Sequence, residues 1–189
     1  PMTEPRVLKI TDSPSVIHLG ELVLGIYPSV NAKSPMPSLS IVGAEQRAAR
    51  YKAPLPRALS AYGIAALELC LKELGLDPYD YSIEAEKGEK PRLLPICKDI
   101  IVPHFSISHS GSVALCLVCA TDEVGVDLEL IPGSAEKEDI HRKVARRRFS
   151  SRELAEIDEE MNGEAATDYK KVAELDIRKT VFSLCVEKG

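Results

Sequence analysis

Asp127 and Glu129 stand two residues apart in the stretch FSISHSGSVALCLVCATDEVGVDLELI, residues 105 to 131. In an extended chain, residues two apart lie about 6.7 Å from each other and their side chains lean the same way. Two ionised carboxylates held this close repel, which raises one pKa or demands a cation. Oxygen ligands of this kind suit Mg²⁺, which is held by one or two carboxylates, waters and substrate phosphates. Gly125 precedes the pair, and a glycine inside a strand marks a close approach of backbone or ligand. The alternative is a solvent-facing polar edge, common in antiparallel sheets. Upstream, Ser108, His109, Ser110 and Gly111 form a compact set of donors for phosphate oxygens. Ser108 and His109 are not a hydrolase pair, because neighbours on a strand face opposite ways and no nucleophile elbow surrounds them. Lys52, Arg57 and Lys90 could add positive charge for a polyphosphate, or each could be an ordinary surface cation.

These residues need a sheet to hold them. The opening stretch predicts three strands. Phe105 and Ile107 alternate with Ser106 and Ser108, SVALCLVCA is continuously apolar, and Val124, Val126, Leu128 and Leu130 alternate with Gly125, Asp127 and Glu129. Residues 5 to 27 contain two further strand-forming segments, RVLKI and ELVLGIY, broken by TDSPS. Residues 28 to 40, with three prolines and four serines, read as a loop. SIVGAEQRAARYK predicts a helix ending before Pro54, and PRALSAYGIAALELCLKELG a stronger one, with Pro56 at its first helical position and Gly75 at its C′ position. Leu59, Tyr62, Ala66 and Leu69 recur at helical spacing and should pack on the sheet. Beyond residue 131 the pattern reads as mostly helical. Ser150 and Glu153 form a capping box, TDYKKVAELDIRKTVF reads as a second helix, and VFSLCV as a final strand.

Composition narrows the possibilities. The 189 residues suffice for a sizeable core. Hydrophobic and charged contents of 44% and 28% are those of a soluble globular protein. The net charge of −5 argues against a general nucleic-acid binder. No apolar run reaches the roughly 20 residues that span a bilayer. PMTEPRVLKI shows no secretory signal, and its opening proline leads us to expect an earlier start. Five cysteines at irregular spacing read as reduced cytosolic thiols. Cys116 and Cys119 form a CxxC inside an apolar strand, where residues three apart point to opposite faces and cannot chelate one ion.

Ser108-His109-Ser110, followed by Val124-Gly125-Val126-Asp127-Leu128-Glu129, resembles the central motif of the larger, surfactin-synthetase type of 4′-phosphopantetheinyl transferase. Three further stretches agree in order. GEKPRL resembles the family's Gly-Lys-Pro element, with Glu89 between the glycine and Lys90-Pro91. RYKAPLPRALSAYGIAALEL resembles the basic helix region of the first half, and RRRFSSREL the element around Phe149, Ser150 and Glu153. The resemblance covers roughly residues 45 to 160.

The resemblance implies an α+β fold, a pseudo-dimer of two similar halves with the site between them. The N-terminal half would be residues 1–122 and the C-terminal half, incomplete, residues 123–189. It implies transfer of the phosphopantetheine arm of coenzyme A to a serine of an apo-acyl or peptidyl carrier protein, leaving adenosine 3′,5′-bisphosphate. Asp127 and Glu129 would hold Mg²⁺ on the pyrophosphate. Ser108, His109 and Lys90 would contact coenzyme A phosphates, and Lys52 and Arg57 the 3′-phosphate. A cytoplasmic monomer is expected, with no nucleic acid or membrane partner.

The chain departs from the family downstream. The family has a Trp-x-x-Lys-Glu-Ala-x-x-Lys helix, and this chain has no tryptophan. The best match is VAELDIRKT, with Val172, Leu175, Asp176 and Thr180 at the tryptophan, lysine, glutamate and last lysine positions. Asp176 would then be the third metal ligand and candidate base, one methylene short. The basic run HRKVARRRF is either a solvated helix face or a docking patch for an acidic carrier. Two functions follow: a magnesium-dependent carrier-protein transferase, or a catalytically impaired coenzyme A or carrier-protein binder on the same fold.

Overall fold

The computed structural model describes residues 6–9, 11–85, 89–128, 171–177 and 180–187. Residues 1–129 with 172–189 form one compact unit and residues 130–171 a second, of which only Lys171 is described. Among the described residues the architecture is α+β, two α-helices with two four-stranded sheets and a two-stranded one.

Strands β2 (Ser15–Leu19), β3 (Leu22–Tyr27), β6 (His104–Ser110) and β7 (Val113–Cys119) form an antiparallel sheet in the order β2-β3-β7-β6. The expected β6–β7 hairpin is present, closed by Gly111 and Ser112 between the Ser110–Val113 pair. β7 is buried along its whole length, which is why its sequence is continuously apolar rather than alternating. Strand β2 has no counterpart among the expectations, because His18 interrupts the apolar run of SVIHL.

Helix α2 (Pro54–Glu73) covers one face of this sheet. Its start is two residues earlier than Pro56. Its end is as expected, with Gly75 at φ 73 just past the Leu74 cap. Ala66, Leu67, Cys70 and Leu71 join Val23, Cys116 and Val118 of the sheet in one core cluster. Leu59 and Ala66 are buried, but Leu69 is only partly so. The approach is close. A Cβ on Gly25 of β3 would lie 2.5 Å from the Ala66 carbonyl oxygen, and one on Gly63 of α2 would lie 2.6 Å from Ile107 Cγ2 on β6. Cys116 faces this helix side and Cys119 the opposite cluster.

The other face carries Leu24, Ile26, Leu115 and Leu117, packed with Val124, Val126 and Leu128 from β8 (Val124–Val126) and the residues just after it. β8 belongs to the second sheet, ordered β1-β10-β9-β8, with β1 (Arg6–Lys9), β9 (Lys171–Ile177) and β10 (Thr180–Glu187).

This sheet overturns one expectation. In place of the helix expected there, Lys171–Ile177 is a strand paired antiparallel with β8. The reason is visible in its composition. KVAELDI alternates Ala173, Leu175, Ile177 with Glu174, Asp176, and TVFSLCVE is rich in β-branched residues, which favour strands over helices. The final strand is therefore longer than VFSLCV and is preceded by another.

Short helix α1 (Ala44–Ala49) occupies part of the first expected helix. Strands β4 (Tyr81–Glu84) and β5 (Arg92–Pro95) form the small hairpin, and Val42 bridges to Ser82 in parallel. Glu68, buried on α2, accepts from the backbone N–H groups of Ser40 and Ile41. The Val42–Ser82 bridge and the Glu68 carboxylate together fix the entry to α1. Glu129, the Ser150–Glu153 capping box and HRKVARRRF lie outside the described residues.

Candidate functional site

Ser108 and His109 sit near the end of β6, the strand at the edge of its sheet. They line a cavity of about 220 Å³ with Arg47, Tyr51, Ser60, Pro91 and Ile107. Arg47 also lines a neighbouring cavity of about 280 Å³, with Arg50, Lys90 and Arg92 beside Glu84 and Glu89. Residues from α1, the segment before β5, β5 itself and β6 thus meet around Arg47. The second cavity sets four cations against two carboxylates, and among the described residues none of those cations forms a salt bridge. Partial burial lowers the Arg47 pKa, with Tyr51 opposing and Arg50 adding to the effect. An arginine stays protonated in proteins, so a half-desolvated guanidinium without a carboxylate partner favours an incoming anion.

Lys90 donates to the carbonyl of Val124 at the start of β8. An ammonium has three donors, and among the described residues the other two have no partner. Asp127, one residue past β8, is exposed. Its Oδ1 accepts from Ser108 Oγ at 2.9 Å and from the Leu128 N–H at 2.9 Å. Leu128 N also donates to Ser108 Oγ at 3.1 Å. Oδ2 has no hydrogen-bond partner among the described residues. An exposed carboxylate with one open oxygen suits a hard cation that keeps waters and substrate phosphates. Among the described residues no three His, Cys, Asp or Glu side chains group to hold a metal by themselves, so a magnesium ion here would take further oxygens from substrate and water.

The expected residues therefore divide. Ser108, His109 and Lys90 line the cavities and Asp127 bonds directly to Ser108. Lys52 and Arg57 are exposed and line neither cavity. Asp176 lies on β9, not on a helix, and its Cα pairs with Gly125, two residues from Asp127. The position is close to the site in register although the element differs. Sequence reasoning missed Arg47, Arg50 and Arg92. The one available signal was the i, i+3 spacing of Arg47 and Arg50 in EQRAARYK, which puts both on one side of a helical turn.

No protein-family model matches the chain, and no curated protein matches it.

Proposed function

We propose that this protein is a magnesium-dependent 4′-phosphopantetheinyl transferase acting on an apo-acyl or peptidyl carrier protein. The observation that carries the reading is the meeting of its two most specific motifs. Ser108 of the Ser-His-Ser strand bonds to Asp127 of the Gly-x-Asp-x-Glu motif, beside a cavity lined by His109 and Arg47. In this reading Arg47, Arg50, Lys90 and Arg92 receive the coenzyme A phosphates. His109 and Tyr51 flank the neighbouring cavity. Arg47 and Arg50 replace Lys52 and Arg57 as the favoured partners of the 3′-phosphate.

Asp127, with Glu129, would supply carboxylate oxygens for Mg²⁺, whose chemistry is to neutralise charge developing on the pyrophosphate. The cations of α1 and β5 would hold the nucleotide still. Phosphoryl transfer depends on such positioning and charge neutralisation more than on covalent chemistry. The carrier serine oxygen would form the new P–O bond as the pyrophosphate bridge breaks and adenosine 3′,5′-bisphosphate leaves. The pseudo-dimer of two halves, dividing near Asp122, and a cytoplasmic location belong to the same proposal. No helix among the described residues is long and apolar enough to cross a membrane.

One observation favours the impaired alternative, a coenzyme A or carrier binder without fast transfer. Asp176 is on a strand and Leu175 stands where the family has lysine. Incubation with coenzyme A, Mg²⁺ and several apo-carriers, read by mass, tests both. Addition of the phosphopantetheine arm is the expected result. Binding of coenzyme A without addition selects the alternative, and no binding of either partner rejects the fold-family reading.

A further inference from the structure

We infer that Ser108 is a positioning residue for Asp127 rather than a contact for the coenzyme. This rests on the reading proposed above and assigns a different role to one residue within it.

A serine hydroxyl has one donor and two acceptor sites. An ionised carboxylate only accepts, so in the 2.9 Å contact with Asp127 Oδ1 the serine must donate. The Leu128 N–H fills one of its acceptor sites at 3.1 Å. Phosphate oxygens also only accept, and Ser108 has no second proton to offer them. It cannot hold Asp127 and donate to a phosphate at the same time. His109, the next residue along, also lines the cavity, and its imidazole can donate to a phosphate without that conflict.

The geometry gives the hydroxyl a mechanical task. Ser108 lies on β6 and Asp127 just after β8, and these strands belong to different sheets. The Ser108 hydroxyl therefore links two sheets at the point where the metal ligand stands. Leu128 is buried at 3% exposure, so the backbone that carries the second donor to Oδ1 is anchored in the core. With Oδ1 held by Ser108 Oγ and Leu128 N, the carboxylate plane is fixed and Oδ2 is directed to the cation as a single ligating oxygen. A magnesium site tolerates little deviation from octahedral geometry, so loss of this restraint should weaken metal-dependent binding selectively.

The test is coenzyme A titration by calorimetry, in Mg²⁺ and in EDTA, for wild type, Ser108→Ala and Ser108→Thr. The expected result is that Ser108→Ala binds as wild type in EDTA but loses on the order of tenfold of the gain that Mg²⁺ confers, the scale of one hydrogen bond to a charged group. Ser108→Thr keeps the hydroxyl and should keep the gain. In an Asp127→Asn background, Ser108→Ala should change nothing further, and this comparison decides the matter even if the alanine variant is less stable. Equal loss in EDTA and Mg²⁺ would make Ser108 a coenzyme contact and overturn the inference, as would an undiminished Mg²⁺ gain in Ser108→Ala. A wild-type chain that binds coenzyme A with no metal dependence overturns the parent reading and this inference with it.

Discussion

At the scale of single residues, the site is a problem of cations held outside salt bridges. Arg47 is half-buried, and Arg50, Lys90 and Arg92 line one cavity with it, none of them in a salt bridge among the described residues. Cations locked in salt bridges would gain little from a phosphate. Cations outside salt bridges, even where one donor meets a carbonyl as at Arg50 and Lys90, keep further donors for a charge-assisted hydrogen bond. Arg47→Gln and His109→Ala should each weaken coenzyme A binding by about 1.5–3 kcal/mol. Lys52→Gln and Arg57→Gln, both at exposed positions outside the cavities, should have smaller effects, reduced further by salt. Fluorescence titration of the four variants at two ionic strengths checks this. A larger loss at Lys52 or Arg57 than at Arg47 would return the 3′-phosphate to the residues that the family resemblance favours.

At the scale of elements, α2 determines how the site is framed. The Ala66 carbonyl and Cys70 Sγ stand 2.5 and 2.9 Å from where a Cβ on Gly25 would be. The carbonyl is helix backbone and cannot swing away, so Gly25→Ala must push α2 off β3. We expect a loss of about 1–3 kcal/mol in urea unfolding, the range for overpacked cores. Glu68→Ala removes the acceptor for two backbone N–H groups and should cost a similar amount, while Glu68→Gln keeps an acceptor oxygen and should cost less. Equal costs for Ala and Gln would assign the effect to packing rather than to the hydrogen bonds. The same elements show what the sequence made legible. α2 was readable because proline at its start, Gly75 at its end and a 3.6 period all agree. The β6–β7 hairpin was readable from the alternation around Ser106 and Ser108 and the apolar run after it. β9 differs from the helix expected over TDYKKVAELDIRKTVF, which both the local pattern and the family register favour, because the alternation of KVAELDI and the β-branched content that follows suit paired strands. Arg47 was missed for a different reason. Its partners Pro91 and His109 are more than 40 residues away in sequence and come to it only through the packing of α1.

At the scale of the whole molecule, buried clusters lie on both faces of the sheet β2-β3-β7-β6, and burial shifts Cys70 of α2, Cys116 of β7, Tyr81 of β4 and Tyr27 of β3 in one direction. Burial pushes Cys70 up to about 12, with a backbone hydrogen bond from Gly25 opposing and Glu73 adding to it. Burial also raises Cys116 well above its ordinary value, with Cys70 adding to the shift. Tyr81 is raised by burial and then by Asp80, and Tyr27 by burial, then by Tyr62 and Glu68. Each of these groups holds its proton more firmly in the folded chain than in the unfolded one. Their contribution is therefore fully present below the unfolded pKa, about 9 for the thiols, and is lost as pH rises toward the folded values. Linkage sets the slope at about 1.4 kcal/mol per pH unit for each fully engaged group. The urea midpoint should change little with these groups up to pH 8.5 and fall steeply from pH 9 upward. Replacing Cys70 and Cys116 with alanine should lower stability at pH 7, because two buried side chains are truncated, yet flatten the decline between pH 9 and 10, before the tyrosines titrate. In the same folded protein, Cys97, which is exposed, should react with a thiol reagent at pH 8, whereas Cys70 and Cys116 should react only on unfolding. A midpoint that holds steady to pH 10.5, or a decline as steep without the two thiols as with them, would mean that the helix–sheet interface does not exclude water as its packing implies.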